Sequence, residues 1–226
     1  MDRWTVGLWL AAAPILLSIR PSVHPSAAPM TIGRLQYSGG GDWYANPSSL
    51  PNLLAAIRER TGLVVTERER PVKLTDPALW DLPYIYMTGH GNVAFTDDEV
   101  RLLRRYLEGG GFLHADDNYG MDKAFRREIA RVFPERPLVE VPLDHPVYHL
   151  VYAFPEGIPK VHEHDGKPAQ GFGIFLGSRL VVYYSYETDL GDGWEDPDVH
   201  KDPPEKREAA LRMGVNLFTY AVSSVR

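Results

Sequence analysis

Side chains that could ligate a metal, move a proton or grip a polar ligand gather in a few short runs. Gly89-His90-Gly91-Asn92 is one, Asp116-Asp117-Asn118 a second and His162-Glu163-His164 a third. A fourth, Ser38-Gly39-Gly40-Gly41-Asp42-Trp43-Tyr44, sets a carboxylate and two aromatic rings behind glycines that let backbone amides approach a ligand. It lacks the spacing and the Lys-Ser/Thr of a phosphate loop. His90, Asp116, His162 and His164 offer nitrogen and oxygen donors suited to zinc, manganese or iron. No helical His-Glu-x-x-His pattern accompanies them, and the plain alternative is histidines that hydrogen-bond loops in place. Asp189, Asp192, Glu195 and Asp196 form a weaker metal set. They have the oxygen-rich composition of a calcium loop without its spacing, and a solvated acidic loop is the plain alternative. Trp43, Tyr44, Tyr119 and Trp194 stand beside carboxylates and amides. Such rings suit sugars and other polar ligands, or they pack loops onto the domain. Asp116 and Asp117, adjacent at a strand end, diverge and so do not act as a pair on one atom.

The elements around these runs must bring them together. Tyr84 to Met87 has the length of a buried strand and stops at the glycines flanking His90. Thr96 with Glu99 is a capping box, Val100, Leu103 and Leu107 recur at helical spacing, and Gly109 to Gly111 end that helix. Phe112 to Ala115 is the next strand and runs into Asp116. Two parallel strands joined by a helix place His90, Asn92, Asp116, Asp117 and Asn118 at strand carboxyl ends, where open parallel sheets bind ligands. Thr31 to Tyr37 reads as the first strand and Leu63 to Thr66 as the second. Ser49 and Asp122 read as helix caps, and Asp202 as the cap of a largely buried last helix. Leu138 to Val141 reads as a strand and His145 to Phe154 as an extended segment. Gly177-Ser178 reads as the turn of a hairpin. If the His162–His164 segment is extended, its two imidazoles share one side and Glu163 takes the other. The whole predicts an α/β domain of flavodoxin-like, three-layer α/β/α form, its sheet mostly parallel with an appended β-hairpin. In the strand order 2-1-3-4-5, the loops at Asp42, His90 and Asp116 face one crevice, with the histidine segment folding over it.

A hydrophobic share of 44% and a charged share of 24% are those of a globular chain. A net charge of −6 without a basic block excludes nucleic acid as a partner class. The absence of cysteine removes disulfides, thiolate metal sites and thiol nucleophiles together. Residues 1–28 have the form of a signal peptide: Arg3, the uncharged stretch Trp4 to Ile19, then Ser26-Ala27-Ala28 as a cleavage site. Cleavage after Ala28 gives an exported, periplasmic or secreted protein. Without cleavage the segment is an anchor, and only then does the chain contact a membrane. Residues 29–226 form a single domain.

Five runs resemble one family: Tyr37 to Tyr44, Tyr86 to Asn92, Gly110 to Gly120, Val161 to Pro168 and Tyr186 to Asp196. They resemble the bacterial domain of unknown function 4159, over nearly everything after the signal segment. That family is similar to the class I glutamine amidotransferase-like superfamily, which implies a flavodoxin-like fold. The superfamily's enzymes carry a cysteine on a sharp turn after a central strand. Here the turn reads Thr88-Gly89-His90-Gly91-Asn92, so amidotransfer by that route is excluded. The resemblance implies exported or membrane-anchored company and no activity or cofactor. The leading expectation is therefore an exported protein that binds a small polar ligand at the carboxyl edge of its sheet. The candidate binding residues are Asp42, Trp43, Tyr44, His90, Asn92, Asp116, Asp117, Asn118, His162, Glu163 and His164. One alternative is a metal-assisted hydrolase that uses the His and Asp residues of that edge with a divalent ion. The other is a non-catalytic accessory protein of an envelope complex, whose partner is another envelope protein.

Overall fold

Along each central strand, alternate side chains feed two separate cores. In the computed structural model, which describes residues 28–223 together with Met1, β3 (Tyr84–Met87) turns Tyr84 and Tyr86 to one face and Ile85 and Met87 to the other. The first face is covered by α1 (Ser49–Thr61) and α6 (Pro204–Ser223), the second by α2 (Asp97–Glu108) and α3 (Asp122–Val132). Strands β1 (Ile32–Leu35) and β4 (Phe112–Asp116) are buried along their whole length, as strands covered on both faces must be. The result is the expected three-layer α/β/α arrangement.

One seven-stranded sheet runs in the order β2-β1-β3-β4-β7-β6-β5. Its remaining strands are β2 (Arg70–Val72), β5 (Val139–Glu140), β6 (Gln170–Leu176) and β7 (Arg179–Tyr186). The first five in that order pair in parallel, and β6 and β5 add antiparallel pairs. Gly177, with φ of 64°, turns β6 into β7 as the Gly-Ser dipeptide predicts. Thr96 and Glu99 make the expected capping box at α2, and Gly110, with φ of 114°, follows its last turn.

Several local expectations are corrected. The second strand is Arg70–Val72, not Leu63–Thr66, which forms an isolated bridge from Val65 to Met30 outside the named strands. β2 is an edge strand, so a proline at position 71 and exposed charge are tolerated there. Ser49 is the first helical residue of α1, and its hydroxyl donates to Asn46 O at 2.7 Å. Asp122 likewise opens α3 from inside, its carboxylate held by Arg126 at 2.6 Å and Tyr184 at 3.0 Å. The acidic stretch after β7 is not an open loop: α4 (Leu190–Trp194) and α5 (Pro197–His200) form within it. The signal-peptide reading falls almost wholly on residues outside the described ones.

His145 to Phe154 is not extended. It makes a 3-10 turn at Pro146–Tyr148 and then irregular backbone. Asn216 of α6, fully buried, explains how such a segment is held. Its Oδ1 accepts from the amides of Val151 at 3.1 Å and Tyr152 at 2.9 Å, and its Nδ2 donates to Val147 O at 3.0 Å and Tyr152 O at 2.8 Å. One side-chain amide thus supplies the partners that a strand ladder would otherwise give, and steadies the chain that leads on to His162 and His164. Asn216→Ala strands these backbone groups and should destabilise the domain by about 2–4 kcal/mol in chemical denaturation. A loss under about 0.5 kcal/mol would show that the segment is held by other contacts.

Candidate functional site

At the end of β4 the chain buries two consecutive carboxylates. Asp116 is fully buried and Asp117 is 3% exposed. They diverge as neighbours on a strand do. Asp116 points into the layer beneath α4. Its Oδ2 accepts from Gly191 N at 2.6 Å and Tyr86 OH at 3.0 Å, and its Oδ1 from Ser185 Oγ at 2.5 Å and Leu190 N at 3.3 Å. Burial pushes its carboxyl up to about 7, against the pull of those donors and with the charge of Asp189 adding to the rise. Asp117 accepts from Glu187 N at 3.2 Å. Burial pushes it up to about 6, opposed by that amide and by His164.

The chain leaving β7 is forced into unusual backbone at this point. Glu187 and Asp189, both buried, have φ of 57° and 52°. Left-handed backbone disfavours residues with a Cβ, and such outliers gather where a site over-determines them. The turn aims Asp189 at the His162–His164 segment. Asp189 Oδ2 lies 2.5 Å from His164 Nε2 and 3.5 Å from His162 Nδ1. Burial works against the charge of Asp189, but the two histidines outweigh it and hold its carboxyl below the ordinary range. Among the described residues, its Oδ1 is buried without a hydrogen-bond partner, as are both side-chain amide atoms of Asn118.

His162 reaches further. Its Nδ1 is 2.9 Å from Asp192 Oδ2 and its Nε2 3.0 Å from Asp202 Oδ1. Hydrogen bonds to Asp189 and Asp192 raise its pKa to about 10. His200 Nε2 is 3.0 Å from Glu195 Oε2 and 3.5 Å from Asp192 Oδ2. One ligand atom from each of His162, Asp192 and His200 lies within 4.8 Å of the others, so this group can hold a metal ion. As the alternation predicts, Glu163 faces away, exposed and paired with Lys160 at 2.9 Å.

A cavity of about 270 Å³ opens beside this network, lined in part by Asp117, Tyr119, Lys123, His164, Lys167 and Glu187. Tyr119 is 63% exposed and meets the His164 ring edge-on at 6.0 Å.

The predicted residues fall into two groups on one sheet edge. Asp42, Trp43, Tyr44, His90 and Asn92 make the rim over β1 and β3. Asp42 accepts from the His90 amide and lies 3.1 Å from its Nδ1, the Trp43 and Tyr44 rings meet at 5.5 Å, and Asn92 donates to Gly39 O at 3.1 Å. Asp116, Asp117, Asn118, His162 and His164 belong to the β4–β7 side. The groups meet where a Cβ on Gly120 would stand 3.7 Å from Gly91 N. Asp116 is sealed from solvent, so it offers no face to His90, and the histidine segment covers the β7 loop rather than the rim. Of the weaker metal set, Asp189 and Glu195 are buried at 4% and 3% exposure, not solvated, and their oxygens face histidines and Ser48. Asp196 accepts from Asn52 at 2.9 Å. Trp194 is core, donating to Ala210 O at 2.8 Å. His114 is core as well: it bonds Tyr84 and Ser185, and burial lowers it to about 3.

Sequence reasoning missed Ser185, Glu187 and His200, and it read Asp202 as the cap of α6, which begins only at Pro204 while the Asp202 carboxylate bonds His162.

The carboxyl carbon of Asp116, followed by NMR, should titrate near 7, and a midpoint below 4 would show that the donors, not burial, dominate. A carboxyl raised above its unfolded value binds its proton more tightly when folded. Its contribution to stability is complete below about pH 4 and is lost as pH rises through about 7. Gly191→Ala should also destabilise the domain by about 1–3 kcal/mol, because its Cβ would collide with Tyr86 OH and come within 3.0 Å of Asp116 Oδ2.

No curated protein matches the chain. A family model described as a domain of unknown function, DUF4159, matches residues 31–222, which takes in both groups of edge residues, the hairpin and α6. The chain belongs to the DUF4159 family.

Proposed function

We propose that this is an exported domain that binds a small polar ligand in the cavity between the loops that follow β4 and β7. The observation that carries the reading is the lining of that cavity. Lys123 and Lys167 offer donors, the exposed Asp165 offers acceptors, and the exposed ring of Tyr119 offers an apolar face. A mixed wall of this kind fits a ligand with hydrogen-bonding groups of both kinds, such as a sugar or an amino acid. The left-handed backbone at Glu187, which lines the cavity, supplies further support, since such backbone gathers at binding sites. Export rests on the n-region, apolar stretch and small-residue site of residues 1–28. A hydrolase built on His90 and Asp116 has less support, because the acceptor sites of Asp116 are filled by Tyr86, Ser185, Leu190 and Gly191.

The test is a thermal-shift and NMR titration against monosaccharides, amino acids and dicarboxylates. At least one class should raise the midpoint of unfolding in a saturable way. Tyr119→Ala, at an exposed position, should weaken that ligand about tenfold or more while the unliganded midpoint stays put. Saturable binding that Tyr119→Ala leaves unchanged would place the ligand elsewhere, and no response across the panel would remove these ligand classes.

A further inference from the structure

We infer that His162, Asp192 and His200 form a binding site for a divalent transition-metal ion, with zinc the best match. Two imidazoles and one carboxylate are a donor set that zinc and iron(II) sites use, with a position left for water or a ligand. The spacing fits. Donors about 2.1 Å from one ion stand roughly 2.9–3.4 Å from each other in octahedral or tetrahedral geometry. His162 Nδ1 and His200 Nε2 stand 2.9 and 3.5 Å from Asp192 Oδ2. The remaining edge joins the two imidazoles, a nitrogen of each lying within 4.8 Å of one on the other, and His200 is the most exposed of the three ligands.

The supporting contacts resemble those around bound metal. A metal-bound histidine usually gives its other nitrogen to a carboxylate, which fixes its tautomer and direction. His162 does so: Nδ1 faces Asp192 while Nε2 is held by Asp202 Oδ1 at 3.0 Å. Asp192 is fixed in the same way. Its Oδ1 accepts from Asn46 Nδ2 at 2.5 Å, which leaves Oδ2 for the ion. Asn46 is in turn seated by its carbonyl, which takes the buried Arg34 at 3.2 Å and Ser49 at 2.7 Å. Glu195 Oε2, 3.0 Å from the same His200 Nε2, is placed to add a further oxygen to the ion. The donors come from three separate elements, the segment before β6, α4 and α5, so the fold rather than a local motif assembles them. The ion needs no ligand in the neighbouring cavity, and it stands or falls separately from that reading.

The protein, stripped with a chelator and titrated with ZnCl₂ by calorimetry at neutral pH, should bind a single ion per chain. Cobalt(II) should give visible d–d absorption in the same site. His162→Ala and His200→Ala should each weaken zinc by about a hundredfold or more, and Asp202→Asn by about 10–100-fold through loss of the supporting bond. His90→Ala, on the separate rim, should bind as the parent does. Circular dichroism checks each fold, and His200→Gln takes the place of His200→Ala should the latter unfold. No saturable zinc binding tighter than about 100 µM in the parent, or binding that survives the His200 substitution, would overturn the site.

Discussion

A fully buried carboxylate, Asp116, is the constraint on which the rest of this edge depends. Removing a carboxylate from water costs several kcal/mol unless hydrogen bonds replace the lost hydration. The replacements come from beyond β4: a hydroxyl on β3, another on β7, and the first amides of α4. Those amides are free to donate because a helix leaves its first N–H groups without internal partners. The carboxylate therefore fixes where α4 begins and how closely it lies on the sheet. That closeness leaves no space for a Cβ at Gly191, and it sets the direction of Asp192, the next residue.

Charge and strain around Asp116 are arranged to match. The turn after β7 places two non-glycine residues in left-handed backbone, at a cost of about 1–2 kcal/mol each. In return the buried Glu187 and Asp189 carboxylates meet cations. Lys160 comes within 3.5 Å of Glu187, and His164 and His162 flank Asp189. These acids favour the protonated form of both imidazoles in the unliganded protein, with His162 raised to about 10 and His164 raised by Asp189, so an ion at His162 would displace a proton. The residue just before α1, Ser48, is drawn in too. Ser48 donates to Glu195 at 3.2 Å and accepts from the Asp196 amide at 3.0 Å, so it ties the acidic segment to the helix instead of closing the helix itself.

The layer architecture was legible because its signals are local. The apolar run of β3, the Thr96–Glu99 capping box and the Gly177-Ser178 turn each depend on residues a few positions apart. So was the alternation that puts His162 and His164 on one side, with Glu163 opposite. The departures share a different cause, long-range bonds that override local preference. Leu63 to Thr66 looks more like a strand than Arg-Pro-Val does, yet the edge of the sheet accepts the weaker segment because β1 needs a partner there. Asn216 reshapes His145 to Phe154 from more than sixty residues away. The acidic segment read as solvated because nothing within it announces that histidines and Ser48 will bury Asp189 and Glu195 against α1 and the sheet.

The same distinction separates fold from function in this family. The parallel sheet delivers the ends of β1, β3, β4 and β7 to one edge, as its strand order requires. What stands at each end is a separate choice. At the end of β3 the chain places Thr88 in the interior and His90 outside, bonded to Asp42. With no thiol anywhere in the chain, nucleophilic chemistry of the cysteine kind has no place to start there. The concentration of buried charge lies instead between β4 and β7, and Asp189 is common to its two histidines. One oxygen of Asp189 faces both rings, so any group that takes a proton from one ring alters the hold on the other. The polar cavity on the His164 side and the carboxylates on the His162 side are therefore electrostatically one unit, built by the fold around a carboxylate that never reaches solvent.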